Sequence, residues 1–532
     1  MLTPAADAVS RIPLYVVAAY LVLLLILGTL VGRLFRGTSS DFFVAERSIG
    51  PVLLLMSVFG TTMTAFALVG STGEAWERGA GVYGLMASAS GIVHSLVFFL
   101  VGIKLWAIGK RHGFMTQVEY FRARYRSTRI GYLLFPILVV LVVPYLLIGI
   151  LGAGVSLRGV TVGMFPETFP GQLNAVTGKL MFVGAVPPWL TGLVVCAVVL
   201  YYIFTGGLRS AAWANAFQTL VFMITGVVAF LLISNELGGL NAATDAVLQR
   251  SPQHLTRAGM GIGKLEFLSY MFVPLSVGMF PHLFQHWLTA KRASSFKLTT
   301  IAHPLFIGIV WVPCILIGIW AAGAGVIPPG NNPNALLPKM VDQYLHNPYL
   351  TGLLIAGILA AIMSSLDSQF VCLGTMFTRD IVVASLGKDR FTDRQLLSFG
   401  RGFIVAIVAV TYVISLFPPP KIFDLAVWCF SGFSGLFPLV LASVYWRRAT
   451  KAGAYASILA AVATWGWFFW NGLVQPTLAG EVVHGEPLIG GMMPVAFVVA
   501  ASAAAMVVVS LLTSPPPEEH VERFMVSTRD IG

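Results

Sequence analysis

Residues 56–65 read Met56-Ser57-Val58-Phe59-Gly60-Thr61-Thr62-Met63-Thr64-Ala65. They lie inside an apolar run, 51–73, that is long enough to cross a bilayer, which takes about 20 residues. Gly60 sits in the middle of the run beside three threonines, and the helix reads as breakable there. Irregular backbone at membrane depth occurs only where it lines a cavity or is buried in protein. A second run, 265–288, carries Pro274, Gly278 and Pro281. Each proline removes a backbone donor and strains the preceding turn. Glycine and proline are frequent in membrane helices, so one such run alone says little. Two of them five spans apart say more.

The composition fixes the class. Of 532 residues, 57% are hydrophobic and 10% charged. A soluble domain carries about 25% charged residues. This excludes an ordinary soluble enzyme, a disordered chain and a small disulfide scaffold. The four cysteines, Cys196, Cys314, Cys372 and Cys429, share no metal-type spacing and fall in apolar runs. They read as small buried side chains. The run 12–35 is longer than a signal-peptide core and is followed by further spans.

Thirteen candidate spans emerge, at 12–35, 51–73, 80–107, 129–154, 189–206, 211–235, 265–288, 299–323, 349–376, 399–417, 421–446, 453–474 and 489–513. The tightest divisions are Thr205–Arg209, with Gly206-Gly207, and Phe417–Lys421, with Pro418-Pro419-Pro420. With the N-terminus outside, 23 basic residues fall in cytoplasmic segments and 9 in external ones. The positive-inside rule therefore predicts an external N-terminus and a cytoplasmic C-terminus in the cell inner (plasma) membrane. It also accounts for the net charge of +11 without any nucleic acid. The expected organisation is an extra helix and loop at 1–50, a first repeat at 51–235, an external loop and second repeat at 236–446, two peripheral helices at 447–513 and a tail at 514–532.

Spans 2–6 and 7–11 fit two inverted repeats of five helices, each opening with an interrupted helix. Such repeats are a signature of secondary transporters. A channel would more often show a filter-like segment. An enzyme would need a reactive constellation, and neither HExxH nor a carboxylate–histidine metal spacing appears.

Span 9 contains Ala360-Ala361-Ile362-Met363-Ser364-Ser365-Leu366-Asp367-Ser368-Gln369. Polarity of this density within a span is costly and needs partners. Residues 361, 364, 365 and 368 share one helical face. A small hard cation takes oxygen ligands, here hydroxyls together with carbonyls freed at a helix break, such as those of Gly60 and Met63. The competing reading is helix packing by small residues. Asp367 either binds a cation, carries a proton or pairs with a helix end or basic residue, and the sequence leaves the three open.

With these residues in view, the chain resembles the sodium:solute symporter family, whose members include sodium/proline, pantothenate, acetate and galactose symporters. Four stretches carry the resemblance: Asp41 to Gly50, Gly206-Gly207-Leu208-Arg209 through Trp213 and Gln218, Ala361-Ile362-Met363-Ser364-Ser365, and Phe437-Pro438 through Arg448 to Gly453-Ala454. The resemblance implies an all-α polytopic membrane protein of about 13 transmembrane helices, with a LeuT-like core of two inverted five-helix repeats. It implies sodium-coupled symport by alternating access, with sodium as coupling ion and no other cofactor. The implied sodium ligands are the carbonyls of Gly60, Met63 and Ala361 and the hydroxyls of Ser364 and Ser365. The implied solute site lies between spans 2, 3, 7 and 11, with Thr64, Ala65, Ala67, Phe280, Pro281, His282 and Gln285 as candidate lining. The partners expected are the bilayer, sodium and a small organic solute. No obligate protein partner is implied.

The chain departs from the family at informative places. Glu46 stands where glycine is usual. Asn215 stands where many members have an aspartate tied to cation release or a second cation site, and an amide cannot titrate near neutral pH. Asp367 is the candidate to replace that charge from another helix, and Asp367, Ser368 and Asn215 are the candidates for a coupling or second cation site. His286 stands for arginine, and Ala67 for the glutamine of galactose-binding members. The solute expected is therefore an organic acid or amino acid rather than a sugar. Proton coupling through Asp367 or His282, and an uncoupled uniporter, remain the alternatives.

Overall fold

Pro51, Pro188, Pro281, Pro348 and Pro494 each stand in the first turn of a helix, where their missing N–H would be unpaired anyway. The computed structural model describes residues 9–33, 35, 37–173, 180–387, 390–417, 421–481 and 485–526. Among them, 10 helices are long and apolar enough to cross a bilayer, or up to 12 if each of two bent pairs is one span.

α1 (Ile12–Gly32) leads into the first bent pair, α2 (Pro51–Thr62) and α3 (Phe66–Arg78), which meet at 60°. α4 (Gly81–His112), a short α5 (Gln117–Arg124) and α6 (Thr128–Val160) follow. α7 (Pro188–Glu236) has 49 residues. After the short α8 (Gly239–Arg250) comes the second bent pair, α9 (Lys264–Gly278) and α10 (Pro281–Thr289), at 52°. α11 (Ser295–Ala324), a short α12 (Leu336–Tyr344), α13 (Pro348–Leu386), α14 (Asp393–Ser415), α15 (Ile422–Tyr445), α16 (Lys451–Leu478) and α17 (Pro494–Leu512) complete the helices. Gln172–Leu173 and Leu180–Met181 form a small antiparallel pair in one loop.

The two breaks fall in the runs marked as breakable. The first lies at 63–65, just past Gly60, and the second at Met279 and Phe280, just before Pro281. At about 1.5 Å per residue, α7 is more than twice the thickness of a bilayer core. It departs from helical backbone at Gly207 (φ 56, ψ −139), within the turn expected at Thr205–Arg209. A Cβ there would meet the Phe42 carbonyl oxygen at 2.4 Å, so only glycine fits. The proline turn at Pro418-Pro419-Pro420 lies outside the described residues, as do Arg36, Lys179, Lys388 and Arg529 of the charge pattern.

α13 and α15 are the interior of the bundle. In their most apolar windows 83% and 89% of residues are buried, against 28% in α1, α14, α16 and α17. α13 packs against α1, α2, α6, α7 and α14. This puts the polar stretch 364–369 at the centre of the protein, away from lipid.

Candidate functional site

The site starts from the two helix breaks. Met63 (φ −88, ψ 116) and Phe280 (φ −63, ψ 114) are both extended, so each bent pair changes direction through one stretched residue. After the first break, Thr64 Oγ1 accepts the Phe66 N–H at 3.1 Å and the Thr64 carbonyl accepts the Ala67 N–H at 3.0 Å. The threonine thus restarts the helix.

Span 9 meets the first break directly. Ser364 Oγ lies 2.8 Å from the Gly60 carbonyl oxygen and 2.8 Å from that of Ala361. Three of the five sequence-predicted ligands are therefore within one hydroxyl's reach. Ser365 Oγ instead donates to the Ile362 carbonyl at 2.9 Å, on its own helix. Gly60 also permits the close approach of α7, because a Cβ there would lie 2.6 Å from Thr219 Oγ1 and 3.2 Å from the Asn215 carbonyl oxygen.

One turn further along α13, Asp367 is fully buried. Tyr202 donates to its Oδ2 at 3.0 Å and Ser368 to its Oδ1 at 3.0 Å. With the Asn215 amide oriented to satisfy both of its ends, its nitrogen donates to Asp367 Oδ1 at 3.1 Å and Oδ2 at 3.0 Å and to the Ser364 carbonyl at 2.9 Å. Ser368 Oγ is also 2.9 Å from His286 Nε2. The network joins Asn215, Asp367 and Ser368 and reaches the serine that faces Gly60. Every named donor to the carboxylate is neutral.

The solute candidates divide. Phe280 stacks on His282, and Tyr145 and Phe430 pack on Phe280 from α6 and α15. Phe66, at the start of α3, meets Phe430 at 5.3 Å between ring centroids. Both ring nitrogens of His282 are buried without a partner. Ala65 lies against Gly152, where a Cβ would meet its own at 2.3 Å. Ala67 is buried, and its carbonyl takes the Ser71 hydroxyl at 2.6 Å. Pro281 is buried as the first residue of α10. Gln285 points elsewhere, its Nε2 donating to the Phe43 carbonyl and to Thr375 Oγ1 at 2.7 Å. Sequence reasoning missed Tyr145, Tyr202 and Phe430. A tyrosine inside an aliphatic span was the available signal, because its hydroxyl needs a partner when buried.

Ion pairs tie both ends of the bundle. At one end Lys421 pairs with Glu74 at 2.5 Å and with Glu77, and Arg78 pairs with Glu266 at 2.6 Å. Burial works against the Lys421 charge, but Glu74, Asp424 and Glu77 outweigh it and hold the ammonium above the ordinary lysine range. At the other end Arg379 pairs with Glu119 at 2.7 Å, Arg122 with Asp380 at 3.4 Å, and Arg209 with Asp41 at 2.5 Å.

The sequence profile of the sodium:solute symporter family matches residues 42–164 and 189–461. The chain belongs to the sodium:solute symporter family. It is 23% identical over 495 residues to the sodium/proline symporter of Escherichia coli (strain K12), covering 88% of this chain and 90% of that protein. It is 26% identical over 432 residues to the sodium/pantothenate symporter of the same organism, covering 79% and 82%. Among solved structures, a sodium-coupled sialic acid symporter in a substrate-bound outward-open state has a TM-score of 0.73 at 16% identity, over 96% of this chain and 99% of that one. A nucleobase-cation-symport-1 family transporter gives a TM-score of 0.51 at 15% identity, over 91% and 97%. This chain is thus a sodium-coupled secondary active transporter of a small organic solute, working by alternating access. It is a multi-pass all-α membrane protein, and its family is one of transporters and not of enzymes.

Proposed function

We propose that sodium binds where α2 breaks against α13, held by the carbonyls of Gly60, Met63 and Ala361 and the hydroxyls of Ser364 and Ser365. The observation that carries this reading is the position of Ser364 Oγ, 2.8 Å from both the Gly60 and Ala361 carbonyls. Oxygens from two helices converge there, as a small hard cation requires. Met63 and Ser365 join the set if the Ser365 hydroxyl turns away from Ile362.

The full reading counts thirteen spans, taking α7 as two about Gly207, with inverted repeats over 51–235 and 236–446. The N-terminus is external and the C-terminus cytoplasmic. Helices 447–513 are peripheral, and 1–50 and 514–532 are accessory. Sodium entering from outside orders the break in α2, and the solute then binds more tightly by reciprocal linkage. The outer ion pairs around Lys421 and the inner ones around Arg122 and Arg379 alternate in closing the path. A potential of about 100 mV adds roughly 2.3 kcal/mol per sodium charge, about fiftyfold accumulation.

The solute is a small organic acid or amino acid lying against Thr64, Ala65, Ala67, Phe280, Pro281 and His282, with Gln285 joining them only if it leaves Phe43 and Thr375. The mostly aromatic and apolar walls suit a compact solute better than a polyhydroxylated sugar. Uptake by proteoliposomes, driven by an imposed sodium gradient and screened over amino acids and organic acids, tests this. Accumulation of a sugar alone would overturn the solute class.

Asp367 favours a second reading of the coupling. A fully buried carboxylate whose donors are neutral needs a proton or a cation to balance it. Asp367, Ser368 and Asn215 are therefore proposed as a second cation or coupling site. Uptake driven by a pH gradient without sodium would make the proton the coupling ion.

A further inference from the structure

Several basic groups at the Arg122 end of the bundle have carboxylate partners. Arg122, Arg209 and Arg379 pair with Asp380, Asp41 and Glu119. Of those without a carboxylate partner among the described residues, three share one cavity. Lys110, Arg292 and Lys297 line one cavity of about 610 Å³ between α4 and α11, and no acidic residue lines it with them. Lys110 lies in the last turns of α4 and Lys297 in the first turn of α11, so the charges sit at the membrane border. Thr300, whose hydroxyl is buried without a partner, faces the same cavity. Its other wall is apolar and open to lipid, with Phe99 59% and Ile301 69% exposed. Phe99 is eleven residues from Lys110, about 16 Å deeper along the helix.

We propose that this groove binds an anionic phospholipid, its phosphate among Lys110, Arg292 and Lys297 and one acyl chain along Phe99 and Ile301. Unpaired cations at the headgroup level above an exposed apolar wall fit that amphiphile and no soluble anion as well. The back of the groove matters to transport. Trp106 Nε1 donates to the Ala290 carbonyl at 2.8 Å. Beside it, Ile49 N–H donates to Thr289 at 3.0 Å, and Lys291 N–H to Ile49 at 2.9 Å. This stitch joins the segment before α2 to the end of α10, the inner ends of both bent pairs. A lipid in the groove braces that stitch.

The test is native mass spectrometry of the detergent-purified chain with phosphatidylglycerol, phosphatidylcholine or inorganic phosphate, with thermal unfolding alongside. Phosphatidylglycerol is expected to stay bound and raise the melting temperature, and phosphatidylcholine and phosphate are not. The variant Lys110→Gln/Arg292→Gln/Lys297→Gln is expected to bind phosphatidylglycerol about tenfold or more weakly. The charge-matched Arg126→Gln/Arg129→Gln/Lys451→Gln is expected to bind it as wild type does. Equal weakening in both variants, or equal retention of the two lipids, would overturn the site. Displacement by phosphate alone would replace it with a soluble-anion site. Photo-crosslinking of wild type with a phosphatidylglycerol probe needs no variant, and label absent from 99–110 and 292–301 would also overturn it.

Discussion

The Asn215 amide nitrogen lies 3.0 Å from the nearer carboxylate oxygen of Asp367. Asn215 is on α7, at the position to which the family resemblance assigns an aspartate. Asp367 is on α13, 152 positions later in the chain. One carboxyl group thus lies beside Asn215, borne by α13 and not by α7.

This relationship predicts an exchange experiment. Asp367→Asn removes the charge and is expected to weaken sodium activation of uptake about tenfold or more, the scale of a hydrogen bond to a charged group. Asn215→Asp places two carboxylates in contact, where both cannot ionise, and is expected to impair uptake. The double variant Asn215→Asp/Asp367→Asn restores a single carboxylate and is expected to recover much of the sodium dependence of wild type. A double variant no better than the worse single one would show that the charge cannot be exchanged.

Gly60 predicts a packing effect separable from ion binding. Gly60→Ala puts a Cβ 2.6 Å from Thr219 Oγ1, and the overpacking is expected to cost about 1–3 kcal/mol. The companion Thr219→Ala removes that oxygen, which also donates to the Met56 carbonyl at 3.0 Å. The pair Gly60→Ala/Thr219→Ala is expected to melt above Gly60→Ala alone. Thermal unfolding of the three proteins measures the coupling.

Glu486 predicts a pH effect at the Lys421 end of the bundle. It accepts from Ser431 at 3.3 Å, and burial, with Asp424 adding to it, pushes its carboxyl up to about 8. A folded-state value above the unfolded one stabilises the fold at low pH, and this is lost as pH rises through about 8. Melting temperature is expected to fall as pH rises from about 4.5 to about 8 and to level off above that. Glu486→Gln, neutral throughout, is expected to flatten that fall, which differential scanning fluorimetry across the range would detect.

What the sequence made legible was local. Gly60, Pro274, Gly278 and Pro281 mark breaks by their own backbone chemistry, and the bends at 63–65 and 279–280 lie beside them. The serines at 364 and 365 advertise a polar face within one turn. Helix starts were harder. The span read as 399–417 begins at Asp393, because Thr392 and Gln395 form a capping box among residues too polar to count as membrane. The partners of Asp367 were hidden, since Tyr202 lies 165 positions away on an aliphatic helix. The same holds for Tyr145 and Phe430 around His282, because which faces of four helices meet is decided by packing and not by local pattern.

The central claim is a sodium site at the break in α2. The most direct test is the melting temperature of the purified chain in sodium, potassium or choline at fixed ionic strength and pH, with Ser365→Ala alongside. The account predicts a saturable rise with sodium alone, lost or shifted to higher sodium in the variant, because a ligand that binds only the folded state stabilises it by mass action. Equal melting in all three salts, or an undiminished sodium response in Ser365→Ala, would contradict it.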